Sequence, residues 1–171
     1  KAADIMKTKG PDWAERCRAE TGSTAGWGHF NPAFAAALLT EAAAITSQVN
    51  GEVIPSDYAG TFSMAVRQPC GVVLGIAPWN APVILGVRSI AMPLACGNTV
   101  VMKSSELSPR THALIVEAVQ GAGLPKGVLN VISNAPEDAS EIVAALISHS
   151  AVRRVNFTGS TRVGRIIAKL A

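Results

Sequence analysis

Three short segments carry residues whose types and spacing could do chemistry. In Ala77-Pro78-Trp79-Asn80-Ala81-Pro82, two prolines stiffen a turn and hold an asparagine between them. A preorganised amide donates to a developing oxyanion without rearranging, which makes Asn80 a candidate for stabilising negative charge on a substrate oxygen. The plainer alternative is that Asn80 caps the helix starting at Ala81-Pro82. Lys103-Ser104-Ser105-Glu106 sets a cation and a carboxylate three residues apart. Such a pair can grip a ribose, the ammonium donating and the carboxylate accepting from adjacent hydroxyls; the alternative is an exposed ion pair of little worth. The third segment is Phe157-Thr158-Gly159-Ser160-Thr161-Arg162-Val163-Gly164. Glycine and hydroxyl residues at a strand-to-helix turn leave free N–H groups and the positive helix end facing outward, which seats a phosphate. The strict G-x-G-x-x-G fingerprint is absent, and an ordinary helix cap accounts for this segment equally well.

Each segment follows an apolar run that reads as a strand. Val72–Ala77 is short and fully apolar, as in a buried parallel strand. Asn98–Lys103, Val128–Ile132 and Arg153–Phe157 are three more strands. Between them lie helical stretches over Val83–Leu94, from a Ser108-Pro109 cap to Gly121, and over Pro136–Ile147; a fourth helix starts at Gly159. Four strand–helix alternations predict an α/β fold, a partial Rossmann-like parallel sheet with flanking helices. Ligands of such sheets bind at the carboxyl ends of the strands, where all three segments fall. Residues 1–51 read as helical: an opening helix, a segment Asp12–Gly22 stopped by glycine, and an alanine-rich helix capped at Asn31-Pro32 that runs to about Val49. Residues 52–69 contain an alternating stretch in which Phe62, Met64 and Val66 predict a half-buried strand of a hairpin. The expected division is therefore 1–51, 52–69 and 70–171.

Composition narrows the function. The 171 residues are 49% hydrophobic and 16% charged, which fits a chain with buried strands rather than a disordered one. The net charge of +3 comes from scattered Lys and Arg, with only Arg153-Arg154 adjacent, so no nucleic-acid partner is expected. The apolar run Val83–Cys96 contains Arg88 and Pro93 and is too short to span a bilayer, so no membrane partner is expected either. Cys17, Cys70 and Cys96 lack metal-ligand spacing, and no metal is expected; free thiols fit a reducing, cytoplasmic setting. Cys70 and Cys96 are read as buried and inert, and His29, His112 and His149, far apart in sequence, are assigned no chemistry. Lys1 starts in mid-helix and Val163–Ala171 stops without a cap, so the chain is expected to be a fragment.

Taken together, Pro78-Trp79-Asn80-x-Pro82, Lys103-x-x-Glu106 and Phe157-Thr158-Gly159-Ser160-Thr161-x-x-Gly164 resemble the aldehyde dehydrogenase superfamily in order and spacing. Gly97-Asn98-Thr99-Val100-Val101 and Gly123-Leu124-Pro125-x-Gly127-Val128-x-Asn130 resemble it too, so the likeness runs along essentially the whole chain. The resemblance implies NAD as cofactor and a small-molecule aldehyde as substrate. It implies that the Asn80 amide stabilises a thiohemiacetal oxyanion and that Lys103 and Glu106 hold the adenosine ribose, Glu106 repelling a 2′-phosphate. It places the pyrophosphate against Phe157, Gly159, Ser160, Thr161, Val163 and Gly164, with Ile76, Ala77, Pro78 and Trp79 walling the cleft. It further implies that 52–69 belongs to an oligomerising hairpin of a homo-oligomer. The family's catalytic cysteine and general-base glutamate would lie outside this chain, so the chain alone is expected to be inactive. The family's glycines after the third strand are replaced by Ser133-Asn134-Ala135-Pro136. The stretch Trp79–Arg88 is most similar to bacterial dehydrogenases of aromatic aldehydes, of the salicylaldehyde, benzaldehyde and vanillin type. Arg88 and Trp27 are its candidate substrate contacts; alternatively Arg88 snorkels to the surface and Trp27 packs in the core. The rival functions are a non-catalytic nucleotide-binding module of the same fold and a reductase-like relative acting on acyl phosphates or acyl-CoA.

Overall fold

Apolar β-rich runs separated by amphipathic helices build a four-stranded parallel sheet, here in a computed structural model that describes residues 1–171. The helices are α1 (Ala2–Thr8), α2 (Gly10–Thr21), α3 (Ala25–Ile45), α4 (Pro82–Ala95), α5 (Pro109–Gly121), α6 (Ala139–Ser148) and α7 (Thr161–Leu170). The strands are β1 (Glu52–Ile54), β2 (Ser63–Ala65), β3 (Val72–Ile76), β4 (Thr99–Lys103), β5 (Leu129–Ile132) and β6 (Val152–Phe157). The order across the parallel sheet is β5-β4-β3-β6, so the chain starts in the middle and winds outward on both sides. No helix is long and apolar enough to cross a membrane.

Side chains alternate across each strand, and both faces are covered, as a parallel sheet requires. Val73, Val100, Met102 and Leu129 face a core shared with α4, α5 and the N-terminal helices, including Met6, Trp13, Ala35 and Ala36. Leu74 and Ile76 face the other way, onto Ile167 of α7 and the partly buried Val143, Leu146 and Ile147 of α6. At Gly75 a Cβ would stand 3.0 Å from the Ser89 carbonyl oxygen, so the absence of a side chain lets α4 lie close on the sheet.

Asn31-Pro32 does not begin a helix. It sits inside α3, whose cap is Thr24, its Oγ1 accepting from the Trp27 N–H at 3.3 Å. Gly28, Asn31, Pro32, Ala35 and Ala36 form a buried stripe at helical spacing, and packing of that stripe outweighs the hydrogen bond lost at proline. The helix also ends earlier than expected, at Ile45, and passes into a 3-10 turn over Thr46–Gln48. Likewise the stretch from Pro136 opens as a 3-10 turn before α6. β1 and β2 pair antiparallel as a hairpin, but the strand is not half-buried: Phe62, Met64 and Val66 are 55–69% exposed, because nothing in the chain packs on the hairpin.

The cap of α5 also comes from elsewhere. Ser108 makes no side-chain bond to its helix; instead Glu20 of α2 accepts from the N–H groups of Arg110 at 2.9 Å and Thr111 at 2.7 Å. A carboxylate there satisfies two orphan donors and complements the helix dipole. Glu20→Ala is expected to lower stability by about 1–2 kcal/mol, read as a lower urea midpoint at unchanged slope.

Candidate cofactor and oxyanion site

The last residues of three adjacent strands lie in register: Ile76 is paired with Lys103 on one side and with Phe157 on the other. The three segments singled out in the sequence therefore leave the sheet side by side on one edge. The Thr158 N–H donates to the Ile76 carbonyl at 3.0 Å, and the Ser104 N–H donates to the Ile132 carbonyl at 2.9 Å, which carries the ladder into the loops.

Lys103 and Glu106 meet as an ion pair whose side chains are 7% and 21% exposed, so the exposed-pair reading does not hold. Asn134 Nδ2 donates to the same carboxylate oxygen, Oε1, at 3.0 Å, so both side-chain donors fall on one oxygen. Burial raises the Glu106 pKa, but the Lys103 bond, the residue's own backbone N–H, Asn134 and the Lys103 charge outweigh it and hold the carboxyl below its ordinary range. Asn134 stands where the family's glycines were expected, and the side chain it adds is spent on Glu106. Lys103, Glu106, Ile76, Val143, Val163 and Ile167 line a cleft of about 420 Å³ between the sheet and the helices α6 and α7.

A second cleft, of about 330 Å³, is lined by Pro78, Trp79, Asn80, Leu85, Thr158, Gly159 and Ser160. Asn80 is exposed and does not cap α4: the cap position is Ala81, with no side-chain bond, and the Asn80 amide is left free. Ser160 does cap α7, its Oγ accepting from the Val163 N–H at 3.3 Å, and its O–H proton remains available to a ligand. The α7 helix leaves its first N–H groups, at Thr161 and Arg162, without intrahelical acceptors. Phe157 turns its ring under this loop: a Cβ on Gly159 would collide with it, and one on Gly164 would stand 3.3 Å away. Phe157 and Gly164 thus shape the turn from below rather than line either cleft, and Ala77 is buried behind Ile76.

Trp27 does not pack in the core. It is 40% exposed, and its indole Nε1–H donates to the Asn80 carbonyl at 2.9 Å, which ties α3 to the asparagine turn. It stacks on Phe30, and Phe30 on Phe34, each with ring centres 5.5 Å apart. The spacing of 27, 30 and 34 on one helix face was the available signal for Phe30 and Phe34, which sequence reasoning passed over. Arg88 lies on the exposed side of α4, makes no ion pair, and lines neither cleft. Cys17 is buried, whereas Cys70 and Cys96 are exposed rather than buried, at the amino end of the sheet beside Asn98 and away from Asn80.

His112 also escaped the sequence reading. It is fully buried, with Nδ1 accepting from the Ser105 N–H at 3.0 Å and Nε2 facing the Pro82 carbonyl at 3.1 Å, which fixes a neutral Nε2–H ring. Its signal was position: it shares the buried face of α5 with Ile115, Val116 and Val119. Burial pushes its pKa down to about 4; the Pro82 carbonyl and the Glu20 charge oppose this, and the Lys103 charge adds to it. The unfolded chain takes up a proton near pH 6.5 that the folded chain refuses. The contribution of this group to stability is therefore fully present above about 6.5 and is lost as the pH drops toward 4, a loss of roughly 3 kcal/mol. His112→Gln is expected to flatten that part of the pH dependence of the urea midpoint.

Residues 1–171 match the aldehyde dehydrogenase family along their full length. The chain belongs to that family. Vanillin dehydrogenase of Pseudomonas fluorescens is 63% identical over the whole chain. The crystal structure of a salicylaldehyde dehydrogenase from Pseudomonas putida G7, complexed with salicylaldehyde, superposes at a TM-score of 0.98 with 53% identity over all of this chain. An NAD-dependent benzaldehyde dehydrogenase from Corynebacterium glutamicum superposes at 0.94 with 33% identity, covering 99% of this chain and 36% of that one. The chain spans 35% of the length of both the vanillin and the salicylaldehyde enzymes. Family membership and these superpositions bear out the α/β, Rossmann-like fold expected from the sequence.

Proposed function

We propose that this chain is the cofactor-cradling and oxyanion-stabilising part of an NAD-dependent oxidoreductase that converts an aromatic aldehyde to its carboxylic acid. The observation that carries the reading is the register of Ile76, Lys103 and Phe157, which sets the three functional loops on one sheet edge. The donor set fits a dinucleotide. Glu106 Oε2 accepts from no other side chain, and the Lys103 ammonium has donors beyond its bond to Oε1, so the pair can bind adjacent ribose hydroxyls; the Glu106 charge disfavours a 2′-phosphate. Ser160 and the amino end of α7 take the pyrophosphate. Ile76, Pro78, Trp79 and Val163 supply the wall, with Ala77 backing Ile76. A nicotinamide dinucleotide held by these residues would supply the hydride acceptor.

Asn80 directs its unengaged amide to the aldehyde oxygen as charge develops there. None of Cys17, Cys70 and Cys96 lines the Asn80 cleft, so in this reading the attacking thiolate comes from outside residues 1–171, and the general base with it. The Trp27-Phe30-Phe34 stack, joined to the Asn80 turn, provides an aromatic wall for an aromatic substrate. Arg88, two turns along α4 and free of ion pairs, is a candidate anchor for a ring substituent. The bare β1–β2 hairpin, with Val53, Ile54, Tyr58 and Phe62 exposed, fits a contact with a second subunit. In this reading residues 1–51 complete the cofactor domain, 52–69 form the oligomerising hairpin, and 70–171 form the NAD-binding unit. Three free thiols suit a reducing cytoplasm.

The full-length protein carrying this chain, supplied with NAD or NADP and a panel of aromatic and aliphatic aldehydes, tests the reading through NADH absorbance. The expected result is turnover with NAD and higher kcat/KM for the aromatic members. Absence of reduced dinucleotide with every aldehyde would overturn it.

A further inference from the structure

We propose that His112 is a positioning residue that couples the two halves of the site, its ring fixing the Lys103–Glu106 loop against the Asn80 turn. The inference rests on the function proposed above and concerns a residue outside both clefts. One imidazole bonds to the backbone of two functional loops at once. Nδ1 takes the N–H of Ser105, which lies between Lys103 and Glu106; Nε2–H gives to the carbonyl of Pro82, two residues after Asn80. Both loops are thereby referred to a single rigid side chain with only two rotatable bonds.

The surroundings hold that side chain still. Thr111, its neighbour in the chain, is clamped by Glu20 through both its N–H and its hydroxyl. On the other side the ring rests against Gly86 of α4, where even a methyl carbon would stand 3.2 Å from His112 Cδ2. The Ser105 N–H is buried, and no other acceptor in the chain reaches it. An apolar residue at 112 would fill the space but would orphan that donor and release both loops. Burial requires that each ring nitrogen find a partner, but not that the two partners belong to the two loops of the site; fixed spacing between a ribose grip and an oxyanion donor requires that pairing. Spacing matters because the Lys103–Glu106 loop sets where the dinucleotide lies and the Asn80 turn sets where the aldehyde lies, and a slip of about 1 Å between the two costs on the order of a hundredfold in rate.

The two bonds can be separated by substitution. Asparagine places an acceptor where Nδ1 stands and does not reach Pro82; glutamine reaches Pro82 with a donor and leaves Ser105 without an acceptor. In the full-length protein, His112→Asn is expected to keep KM for NAD within about threefold and to lower kcat about tenfold or more. His112→Gln is expected to raise KM for NAD about tenfold with a smaller change in kcat. Hydrogen exchange measured by mass spectrometry gives a readout independent of turnover. The segment 103–108 should exchange faster in His112→Gln, and the segment 78–86 faster in His112→Asn. Should either variant not fold, imidazole nitrogen resonances of the unsubstituted protein test the two bonds on which the coupling depends, with a single Nε2–H tautomer expected. Folded variants with both kinetic constants within twofold, equal exchange of both segments, or a mixed tautomer would overturn the coupling. If the unsubstituted protein turns over no aldehyde, the proposed function fails, and the exchange and tautomer measurements still judge His112 separately.

Discussion

Asn80→Ala in the full-length protein is expected to lower kcat by about a hundredfold or more, with KM for the aldehyde changed far less. The carbonyl oxygen of a bound aldehyde carries little charge, whereas the adduct that follows attack carries a full one, so a donor aimed at that position acts on the barrier rather than on binding. The structure leaves the Asn80 amide uncommitted: Ala81 occupies the cap position, and only the backbone of Asn80 is engaged, by the Trp27 indole. The bracketing Pro78 and Pro82 limit the rearrangement open to the shortened side chain, so a lost rate reports the lost donor. Steady-state kinetics with a saturating dinucleotide, together with circular dichroism to confirm folding, measure the effect. A change in kcat of less than threefold would remove Asn80 from the chemistry.

The second large effect is expected at Lys103. Lys103→Met leaves the Glu106 carboxylate in a mostly buried place with Asn134 as its one remaining side-chain partner. Breaking a buried pair from one side costs about 3 kcal/mol, whereas removing both charges is often neutral. The single variant should therefore unfold at a clearly lower urea concentration, and Lys103→Met combined with Glu106→Leu should recover most of that loss. NAD binding should not recover. Both variants lose the ribose grip, and a dissociation constant raised at least tenfold is expected for each, since each 1.4 kcal/mol of lost contact is a factor of ten. Recovery of both stability and binding in the double variant would show that the pair serves the fold alone.

The sheet was legible because periodicity reports burial. Val72–Ile76 and Val100–Met102 are apolar on both faces, and only a strand covered on both sides tolerates that pattern. The three loops were legible for a related reason, since their prolines, glycines and hydroxyls are local devices whose effect needs no distant partner. What was missed depends on distance. Glu20 and Thr111 meet across 91 positions of chain, and nothing near Glu20 announces a cap for another helix. The Ser105 and Pro82 bonds of His112 require knowing that α4 and α5 lie side by side. Pro32 was misread as a helix start because the local preference is real, yet the Gly28–Ala36 stripe buries against neighbours that a window of ten residues does not contain. The hairpin was misjudged in the opposite sense, its alternation implying a covered face that the chain itself does not supply.

The β5-β4-β3-β6 order leaves β6 bonded on one side only. Its outer rim presents a row of unpaired peptide groups, ready to accept a further strand. Such a strand would run past Phe157 and end next to the Ser160 turn, raising a bank along the open side of the Asn80 cleft. A strand seated on that rim and a dinucleotide at the Ser160 turn would share a border, so that each should favour the other.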